Sequence, residues 1–383
     1  MNVAQTDKNT GSIALGILFA LSLAHCTNDT LQSVIMAVYP VVKEELALSF
    51  AQVGLITMVY QIAASVFQPM VGLVMDRHQK PWTLPVGMAF IFAGLLMLAW
   101  VHHFWLLLVS VACIGIGSSI FHPEASRLTS LASGGKRGLA QSLFQVGGNL
   151  GSSFGPLLTA WVIAPYGRQN ASLIAILAVL GIVLMMPICR WYSARLKEWD
   201  ERRKRSEAQP HQRPYSLRKT LMAIGVIVVL IFSKYIYMAS LSSYYTFYLI
   251  HKFGVSVQDS QIYLFVFLFA TAAGTLLGGP IGDRIGRKYV IWGSILGVAP
   301  FTLLMPYVGL LPTVVLSFLI GFVLSSAFPA ILVYAQELLP YKIGLISGLF
   351  FGFAFGVAGI ASAVLMGHRT KRILRIERKE YQT

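Results

Sequence analysis

Charged residues are scarce in this chain, since Asp, Glu, Lys and Arg make up only 12% of its 383 residues. A soluble globular protein carries about 25% charged residues, so the composition excludes an ordinary soluble enzyme or binding domain. Hydrophobic residues reach 56%. They form many apolar segments of about 20 residues, the length that crosses a bilayer as a helix. The chain is therefore predicted to be an all-α polytopic membrane protein.

Cysteine is also rare, with three residues that all fall in apolar segments. Their spacing predicts neither a disulfide framework nor a metal site. The chain also lacks the Gly-x-x-x-x-Gly-Lys-Ser/Thr loop that binds nucleotide phosphates. No cofactor is expected, and a pump driven by ATP is disfavoured.

Acidic residues number 15 against 30 basic ones, which gives a formal net charge of +15. In a soluble protein that excess would indicate a nucleic-acid partner. Here 19 Lys and Arg fall in segments predicted to be cytoplasmic, and three fall in predicted external loops: Lys43, Arg168 and Lys252. This is the positive-inside bias. We expect a multi-pass protein with a cytoplasmic N-terminus, in contact with lipid and not with nucleic acid.

Eleven apolar spans can be placed along the chain. Spans 1 to 6 cover about residues 12–42, 50–75, 82–101, 104–132, 138–164 and 170–192. Spans 7 to 11 cover about residues 218–250, 257–281, 288–308, 312–340 and 342–366. The predicted units are an N-terminal half (1–192), a basic cytoplasmic linker (193–217), a C-terminal half (218–366) and a basic tail (367–383).

One charged loop motif occurs twice at a constant offset. Gly279-Pro-Ile-Gly-Asp283-Arg284-Ile-Gly286-Arg287-Lys288 joins spans 8 and 9, and a degenerate copy with Gly72, Asp76 and Arg77 joins spans 2 and 3. Residues 118–121 match 325–328 at the same offset, which indicates two homologous halves. Glycine lets helices cross closely, the Asp can face the positive end of the following helix, and the basic residues suit an anionic cytoplasmic surface.

A Gly-x-x-x-Asp-Arg-x-Gly-Arg-Lys loop repeated in this way resembles the signature of the major facilitator superfamily. The resemblance implies the major facilitator fold, with two pseudo-symmetric six-helix halves around a central cavity. Only eleven spans are present, so the twelfth helix is expected to be missing.

Longer runs resemble bacterial drug exporters of this superfamily that expel anionic phosphonate antibiotics. They are Phe121-His-Pro-Glu-Ala-Ser-Arg127, Gly138-Leu-Ala-Gln-Ser-Leu-Phe-Gln-Val-Gly-Gly-Asn149, Phe232-Ser-Lys-Tyr-Ile-Tyr-Met-Ala-Ser240 and Ala335-Gln-Glu-Leu-Leu-Pro340. The likeness extends from about residue 12 to 366. It implies a monomeric inner-membrane exporter that exchanges a small-molecule substrate for protons.

One departure from the superfamily lies in span 4. Drug antiporters usually carry Arg-x-x-Gln-Gly-x-Gly there, and this chain keeps Gly115 and Gly117 but has Val111 at the arginine position. The proton relay inferred from that arginine cannot be transferred. His122, Glu124 and Arg127 are the local substitutes.

Two spans carry glycine at four-residue intervals. Span 5 has Gly147, Gly151 and Gly155, and span 11 has Gly344, Gly348, Gly352 and Gly356. Such spacing produces a smooth stripe on which a neighbouring helix can approach and slide. Static packing is the alternative, and the recurrence in corresponding spans of both halves favours a moving interface.

Titratable side chains inside a bilayer are costly and are functional candidates by default. His25 and Asp29 share one face of span 1, with Gln32 completing the stripe and Asn28 beside it. They lie near mid-span, where proton binding or a substrate cavity is expected. The alternative is an internal hydrogen-bonded pair that fixes span 1 in the bundle.

Span 4 carries His122, Glu124 and Arg127. His122 and Glu124 point to opposite faces of a helix, so zinc binding by this pair is not expected. Glu124 and Arg127 are spaced to pair. Such a pair is either a proton site or a buried clamp at the cytoplasmic gate. At least one of Asp29 and Glu124 is expected to bind the coupling proton.

Span 7 carries Lys234 near its middle, followed by five tyrosines that include Tyr235 and Tyr237. A mid-span Lys cannot reach the interface and needs a carboxylate or an anionic ligand. We predict an aromatic, polar cavity wall. Glu337, near the cytoplasmic end of span 10, is a candidate gate residue.

Three function classes compete. Proton-driven export is favoured by the resemblance alone, because the residues do not determine direction, and uptake of a small organic anion by symport is the alternative. A polytopic membrane enzyme would need clustered catalytic groups near one interface. The charges are instead spread over spans 1, 4, 7 and 10, which surround the cavity in this fold.

The tail at 367–383 carries six Lys and Arg where an external C-terminus is expected. A truncated or frame-shifted product without helix 12 is the simplest interpretation, and an amphipathic regulatory tail is the alternative. We expect such a chain to fold but to be unstable and export poorly until a homologous twelfth helix replaces the tail.

Overall fold

Every regular element in the described part of the chain is helical. The computed structural model describes residues 13–208, 216–255, 257–353 and 356. The first half contains α1 Leu15–Ala37, α2 Tyr39–Glu45, α3 Phe50–Ser65, α4 Phe67–Arg77, α5 Thr83–Trp100, α6 Phe104–Ala132, α7 Arg137–Leu158, α8 Ala164–Tyr166 and α9 Ala171–Ala208. The second half contains α10 Leu217–Phe253, α11 Val257–Ile285, α12 Arg287–Leu296, α13 Ala299–Leu304, α14 Leu310–Ser325, α15 Ala327–Leu338 and α16 Ile343–Phe353.

Helices occupy the described residues of all eleven predicted spans, and span 11 is described to Phe353 and at Gly356. Spans 1, 2, 9 and 10 are each interrupted once, and a π-helical turn at Thr159–Ile163 follows α7. Eight helical segments of the described residues are long and apolar enough to cross a membrane. α1 and α7 are not among these eight, yet with 23 and 22 residues they are long enough to span a bilayer core.

Local sequence explains where several helices begin and end. A capping box starts α3, because the Ser49 hydroxyl accepts from the Gln52 N–H and the Gln52 side chain accepts from the Ser49 N–H. Gly254 ends α10 with a φ of 65°, and Gly286 separates α11 from α12 with a φ of 100°. Glycine adopts these left-handed conformations without the steric cost that a Cβ adds.

The two halves meet through two equivalent helix crossings. α4 meets the start of α16 at Gly72 and Gly344, and α11 meets the start of α7 at Gly279 and Gly138. A Cβ on Gly72 or Gly279 would overlap the backbone carbonyl of its partner glycine. The close approach therefore requires glycine. Each crossing uses one copy of the duplicated motif, as expected for two homologous halves.

Polarity is distributed as expected for a protein embedded in lipid. Large apolar side chains such as Phe19, Trp105 and Val183 are exposed on the outer surface, while titratable groups such as Asp29 and Glu124 are buried. Lipid tails can cover an apolar exterior, so such a surface is unfavourable only in water.

The predicted linker is partly helical, because α9 continues to Ala208 instead of ending near residue 192. Residues 209–215, most of 354–366 and the tail at 367–383 lie outside the described residues. The predictions of a missing twelfth helix and of the tail's role fall there. The proposed unit boundaries remain predictions.

Candidate functional site

Asp29 lies at the centre of a buried polar cluster formed by α1 and α6. His25 Nε2 is 3.4 Å from Asp29 Oδ2, and His122 Nε2 is 3.2 Å from Asp29 Oδ1. The side-chain amides of Asn28 and Gln32 donate to Oδ1 at 2.9 and 2.7 Å. None of these five residues is more than 6% exposed. We call them the Asp29 cluster.

A second layer orients the cluster. The Gln32 carbonyl oxygen accepts from the hydroxyls of Tyr60 at 3.0 Å and Ser118 at 2.7 Å, so its amide nitrogen faces Asp29. The His25 ring stacks on Phe144 with 4.0 Å between centroids. Asn28 and Gln32, predicted as cavity residues, therefore belong to this cluster and do not line the cavity described below.

The cluster changes one part of the sequence interpretation. From the sequence, His122 is compared with Glu124 as a zinc-binding pair and is named with Glu124 and Arg127 as a substitute for the proton relay. His122 and Glu124 do point apart, because Glu124 pairs with Arg127. The His122 ring instead meets α1, where nitrogen and oxygen atoms of His25, Asp29 and His122 all lie within 4.8 Å of one another. Spacing within one helix cannot reveal such a contact between two helices.

Glu124 and Arg127 form a bidentate ion pair inside the first half. Arg127 Nε and Nη2 donate to the two Glu124 oxygens at 2.8 and 2.7 Å, and Nη2 also donates to the Tyr192 hydroxyl of α9. Both charged residues are at most 4% exposed. The pair is closed on itself, which favours a structural role at this end of the bundle.

A cavity of about 120 Å³ lies between the halves and contains Lys234. Its wall comes from α7 on one side and from α10, α11, α14 and α15 on the other. The polar members besides Lys234 and Tyr235 are Gln145, Asn149, Thr271, Thr275 and Ser325. Sequence reasoning missed these five, although Gln145 and Asn149 lie within one of the runs that carry the resemblance.

Lys234 is 8% exposed and has no acidic partner among the described residues. Its ammonium donates to the Ser294 hydroxyl and, at 3.4 Å, to the Leu324 carbonyl oxygen. Both partners are neutral. The predicted need for a negative charge is therefore not met by a side chain of the described structure.

Among the described tyrosines of the predicted aromatic wall, Tyr235 is the one that lines the cavity. Tyr235 lines the cavity and meets Phe328 edge to face, with 5.8 Å between ring centroids. Tyr237 faces away and hydrogen-bonds Thr302 at 2.7 Å. Tyr245 and Tyr248 likewise bond to other helices of the second half. The prediction of Tyr237 as a cavity residue is wrong because helical rotation turns it toward α13.

The aspartates of the duplicated loop bind helix starts of the opposite half. Asp76 accepts from the N–H groups of Gly344 and Leu345 at 2.8 and 2.9 Å, and Asp283 accepts from Gly138 and Leu139 at 3.1 and 3.0 Å. The expectation that each Asp faces the helix following it is therefore wrong. Unpaired N–H groups and the helix dipole attract the carboxylate across the interface.

The two loops differ in their basic residues. Arg287 donates to Asp283 at 3.0 Å and lies 3.1 Å from Glu337, so Glu337 is beside the loop. Its role as a gate residue stays a prediction. Arg77, Arg284 and Lys288 are exposed. We call the end of the bundle with Asp76 and Asp283 the charged end.

Further polar contacts join the halves near the charged end. Ser126 bonds Ser347 at 3.1 Å, and Ser130 donates to Gln336 at 2.8 Å. Ser142 donates to the Thr275 carbonyl at 2.8 Å. The charged end is thus closed, with the cavity lying between the halves beyond it.

The two glycine stripes face different neighbours. Gly147, Gly151 and Gly155 lie against α1 of their own half, where a Cβ on each would overlap Ser22, Cys26 or Ser33. The stripe of α16 faces the first half: Gly344 and Gly348 lie against α4, and Gly352 and Gly356 lie near Ser65. Only the second stripe lies between halves, so the idea of two equivalent sliding surfaces needs correction.

The comparisons with known proteins agree with this architecture. A family model described as "Major Facilitator Superfamily" matches residues 21–363. The chain is 56% identical to the fosmidomycin resistance protein of Escherichia coli over 92% of its length and 86% of that protein. It is 39% identical to an uncharacterized MFS-type transporter, YfnC, of Bacillus subtilis, over 94% and 88% of the two chains.

A solved structure shows the same fold at low identity. The fucose transporter FucP in the outward conformation superposes with a TM-score of 0.66 at 15% identity, and 92% of each chain is covered. At this identity the likeness concerns the fold alone.

Proposed function

The chain belongs to the major facilitator superfamily, and on that premise we propose that it exports fosmidomycin-like anionic antibiotics across the bacterial inner membrane by proton antiport. The family consists of transporters, so the chain is a multi-pass membrane transporter and not an enzyme. Its proposed partners are a small-molecule substrate, protons and the bilayer, and its proposed working unit is a monomer with a cytoplasmic N-terminus.

The buried amino group of Lys234, which has no acidic partner among the described residues, is the observation that supports an anionic substrate. A charge inside the membrane costs several kcal/mol unless it is compensated. Ser294 and Leu324 accept hydrogen bonds from this ammonium but carry no charge. A phosphonate or carboxylate in the adjacent cavity would supply the missing charge through charge-assisted hydrogen bonds.

The cavity wall suits a small, multiply polar anion. Gln145 and Asn149 offer amide donors from one half, and Thr271, Thr275 and Ser325 offer hydroxyls from the other. A ligand between them would contact both halves, so its binding would change when the halves move. Alternating access needs this placement of the substrate at the interface of the halves.

Because the charged end is closed in this conformation, the substrate cavity would be reached from the opposite end of the bundle. Asp76, Asp283 and the Ser126–Ser347 contact bring the halves together there. The positive-inside bias supports a cytoplasmic location for this end. The conformation described would then correspond to the state that releases substrate outward.

Substitution of Lys234 tests the proposal. Lys234→Met should abolish uptake of radiolabelled fosmidomycin into everted vesicles under a pH gradient, because the anion loses its counter-charge. The matched control is Lys252→Met. The ammonium of Lys252 is exposed on α10 and lies outside the cavity, so this variant should transport normally. Normal transport by Lys234→Met would contradict the assignment of the anion site. Accumulation by right-side-out vesicles instead would identify uptake as the direction.

A further inference from the structure

The hydrogen bonds of the Asp29 cluster determine which ring nitrogen of each histidine can receive a proton. His25 Nδ1 lies 2.8 Å from the Phe144 carbonyl oxygen, and His122 Nδ1 lies 2.9 Å from the Ser118 carbonyl oxygen. A carbonyl oxygen only accepts hydrogen bonds, so each Nδ1 carries the hydrogen. In the neutral rings each Nε2 is then a bare lone pair.

Both Nε2 atoms face the same carboxylate. His25 Nε2 approaches Asp29 Oδ2 and His122 Nε2 approaches Oδ1, at 3.4 and 3.2 Å. A lone pair against a carboxylate oxygen is repulsive, and His25 Nε2 has no hydrogen-bond partner although it is fully buried. A proton added to either ring would turn that contact into a charge-assisted hydrogen bond.

The surroundings keep the carboxylate ionised. Asp29 Oδ1 accepts hydrogen bonds from Asn28 and Gln32, which stabilise the anion relative to the protonated acid. Protons entering the cluster therefore go to the rings. Since each ring faces its own carboxylate oxygen, the cluster can take up two separate protons, one on each Nε2.

We propose that the imidazoles of His25 and His122 carry the coupling protons, with Asp29 as their fixed counter-ion. The proposal deepens the function proposed above and rests on it. It also revises the sequence expectation that Asp29 or Glu124 is the carrier, because two nitrogens of the Arg127 guanidinium already bind Glu124.

The groups that face the cluster from packed helices do not compete for these protons. α3 presents the Tyr60 phenol through Gln32, and α10 presents the Tyr235 phenol, which lies close enough to interact with the charge of Asp29. Phenols are uncharged at neutral pH. α7 presents Phe144 and Gly148, and α16 presents Phe351.

The position of α7 links proton exchange to the substrate cavity. Gly148 lies directly on the cluster, since a Cβ there would overlap the His25 ring and come within 2.9 Å of Asp29 Oδ2. Gln145 and Asn149 on the same turn of α7 line the cavity beside Lys234. The segment that covers the proton site is thus also a wall of the substrate site, so displacing it affects both.

Purified full-length protein in liposomes tests the proposal with radiolabelled fosmidomycin. Counterflow, which exchanges substrate for substrate, needs no proton, whereas accumulation driven by a pH gradient does. The double variant His25→Gln/His122→Gln should keep counterflow and lose gradient-driven accumulation. In detergent it should also lose the proton release that a pH dye detects when fosmidomycin binds to the parent protein. The control is His102→Gln, an exposed histidine between α5 and α6, which should match the parent protein.

A spectroscopic measurement on the parent protein keeps the test independent of transport. In ¹⁵N-histidine spectra of the parent protein, the two buried rings should change from imidazolium to the Nδ1–H tautomer as pH rises. Each is assigned by its absence from a single His→Gln variant. Rings that stay neutral throughout, or that hold hydrogen on Nε2, would overturn the proposal.

Two other results would also overturn it. One is gradient-driven accumulation by the double variant at the parent rate. The other is a stoichiometric metal ion in the purified protein that is lost with the two histidines. Absence of fosmidomycin counterflow in the parent protein would contradict the proposed function instead, while the spectra would still decide the protonation of the rings.

Discussion

Individual charged side chains in this bundle differ mainly in how their charge is compensated. Glu124 and Arg127 neutralise each other, and Asp29 is bound by amides and faced by two histidines. Among the described residues, the partners of Lys234 are neutral. A buried group without a counter-charge is the one that gains most from an ionic ligand. This difference is the reason why we propose substrate binding at Lys234 and proton binding at the Asp29 cluster.

The Glu124–Arg127 pair is predicted to stabilise the fold. Glu124→Ala leaves a buried guanidinium uncompensated, which typically costs about 3–5 kcal/mol. The control is Glu44→Ala, because Glu44 is exposed on α2 and its loss leaves no buried guanidinium behind. Exposed charges contribute about 0–1 kcal/mol. Thermal unfolding of the purified protein should show a large decrease in midpoint for Glu124→Ala alone, and equal decreases would refute the argument.

Residue spacing predicts only part of this pattern. The Glu124–Arg127 pair follows from a separation of three residues on one helix. His122 meets Asp29 across two helices, and no spacing within span 4 contains that information. Tyr237 was placed in the cavity from composition, but the rotation of α10 that turns it toward Thr302 depends on packing.

At the level of helices, the starts of α7 and α16 are the main points of contact between halves. Each start presents free N–H groups to an aspartate at the end of a helix in the opposite half. The glycine pairs Gly72–Gly344 and Gly279–Gly138 allow the backbones to approach closely enough. The duplicated motif predicted the glycine crossings, but the target helix could not be read from the sequence, since it depends on how the halves are docked.

Removing these carboxylates should open the charged end. A carboxylate at a helix start contributes about 0.3–1 kcal/mol, and up to about 2 when partly buried. Asp76→Asn and Asp283→Asn should therefore each raise the rate at which a maleimide labels a cysteine placed at Ser347, which is fully buried there. The double variant should label fastest because both crossings weaken.

The control for this measurement is Asp259→Asn. Asp259 is exposed in the first turn of α11, and it lies on the same helix that binds the halves together through Asp283. Its loss should leave labelling unchanged. Unchanged labelling in the Asp76 and Asp283 variants would mean that the carboxylates do not stabilise closure.

At the level of the whole molecule, the sequence predicts the architecture better than the interface. Apolar spans, the repeated loop and the basic excess indicate two helical halves in a membrane. The glycine stripe of α7 resembles that of α16 in spacing, yet it packs on α1 within one half. Both stripes have the same spacing because close helix packing requires small residues at four-residue intervals, whether the two helices belong to one half or to different halves.

Alternating access predicts that the charged end must open during each transport cycle. Ser126 and Ser347, one from each half, bring their hydroxyl oxygens within 3.1 Å, so cysteines at both positions should form a disulfide that holds the end closed. In a background with Cys26, Cys113 and Cys189 replaced, mild oxidation should abolish fosmidomycin counterflow, and a reductant should restore it. Each single cysteine variant, oxidised in the same way, should stay active because no bridge can form. Continued counterflow by fully cross-linked protein would show that substrate crosses without separation of α6 from α16, and the moving interface would have to be sought elsewhere.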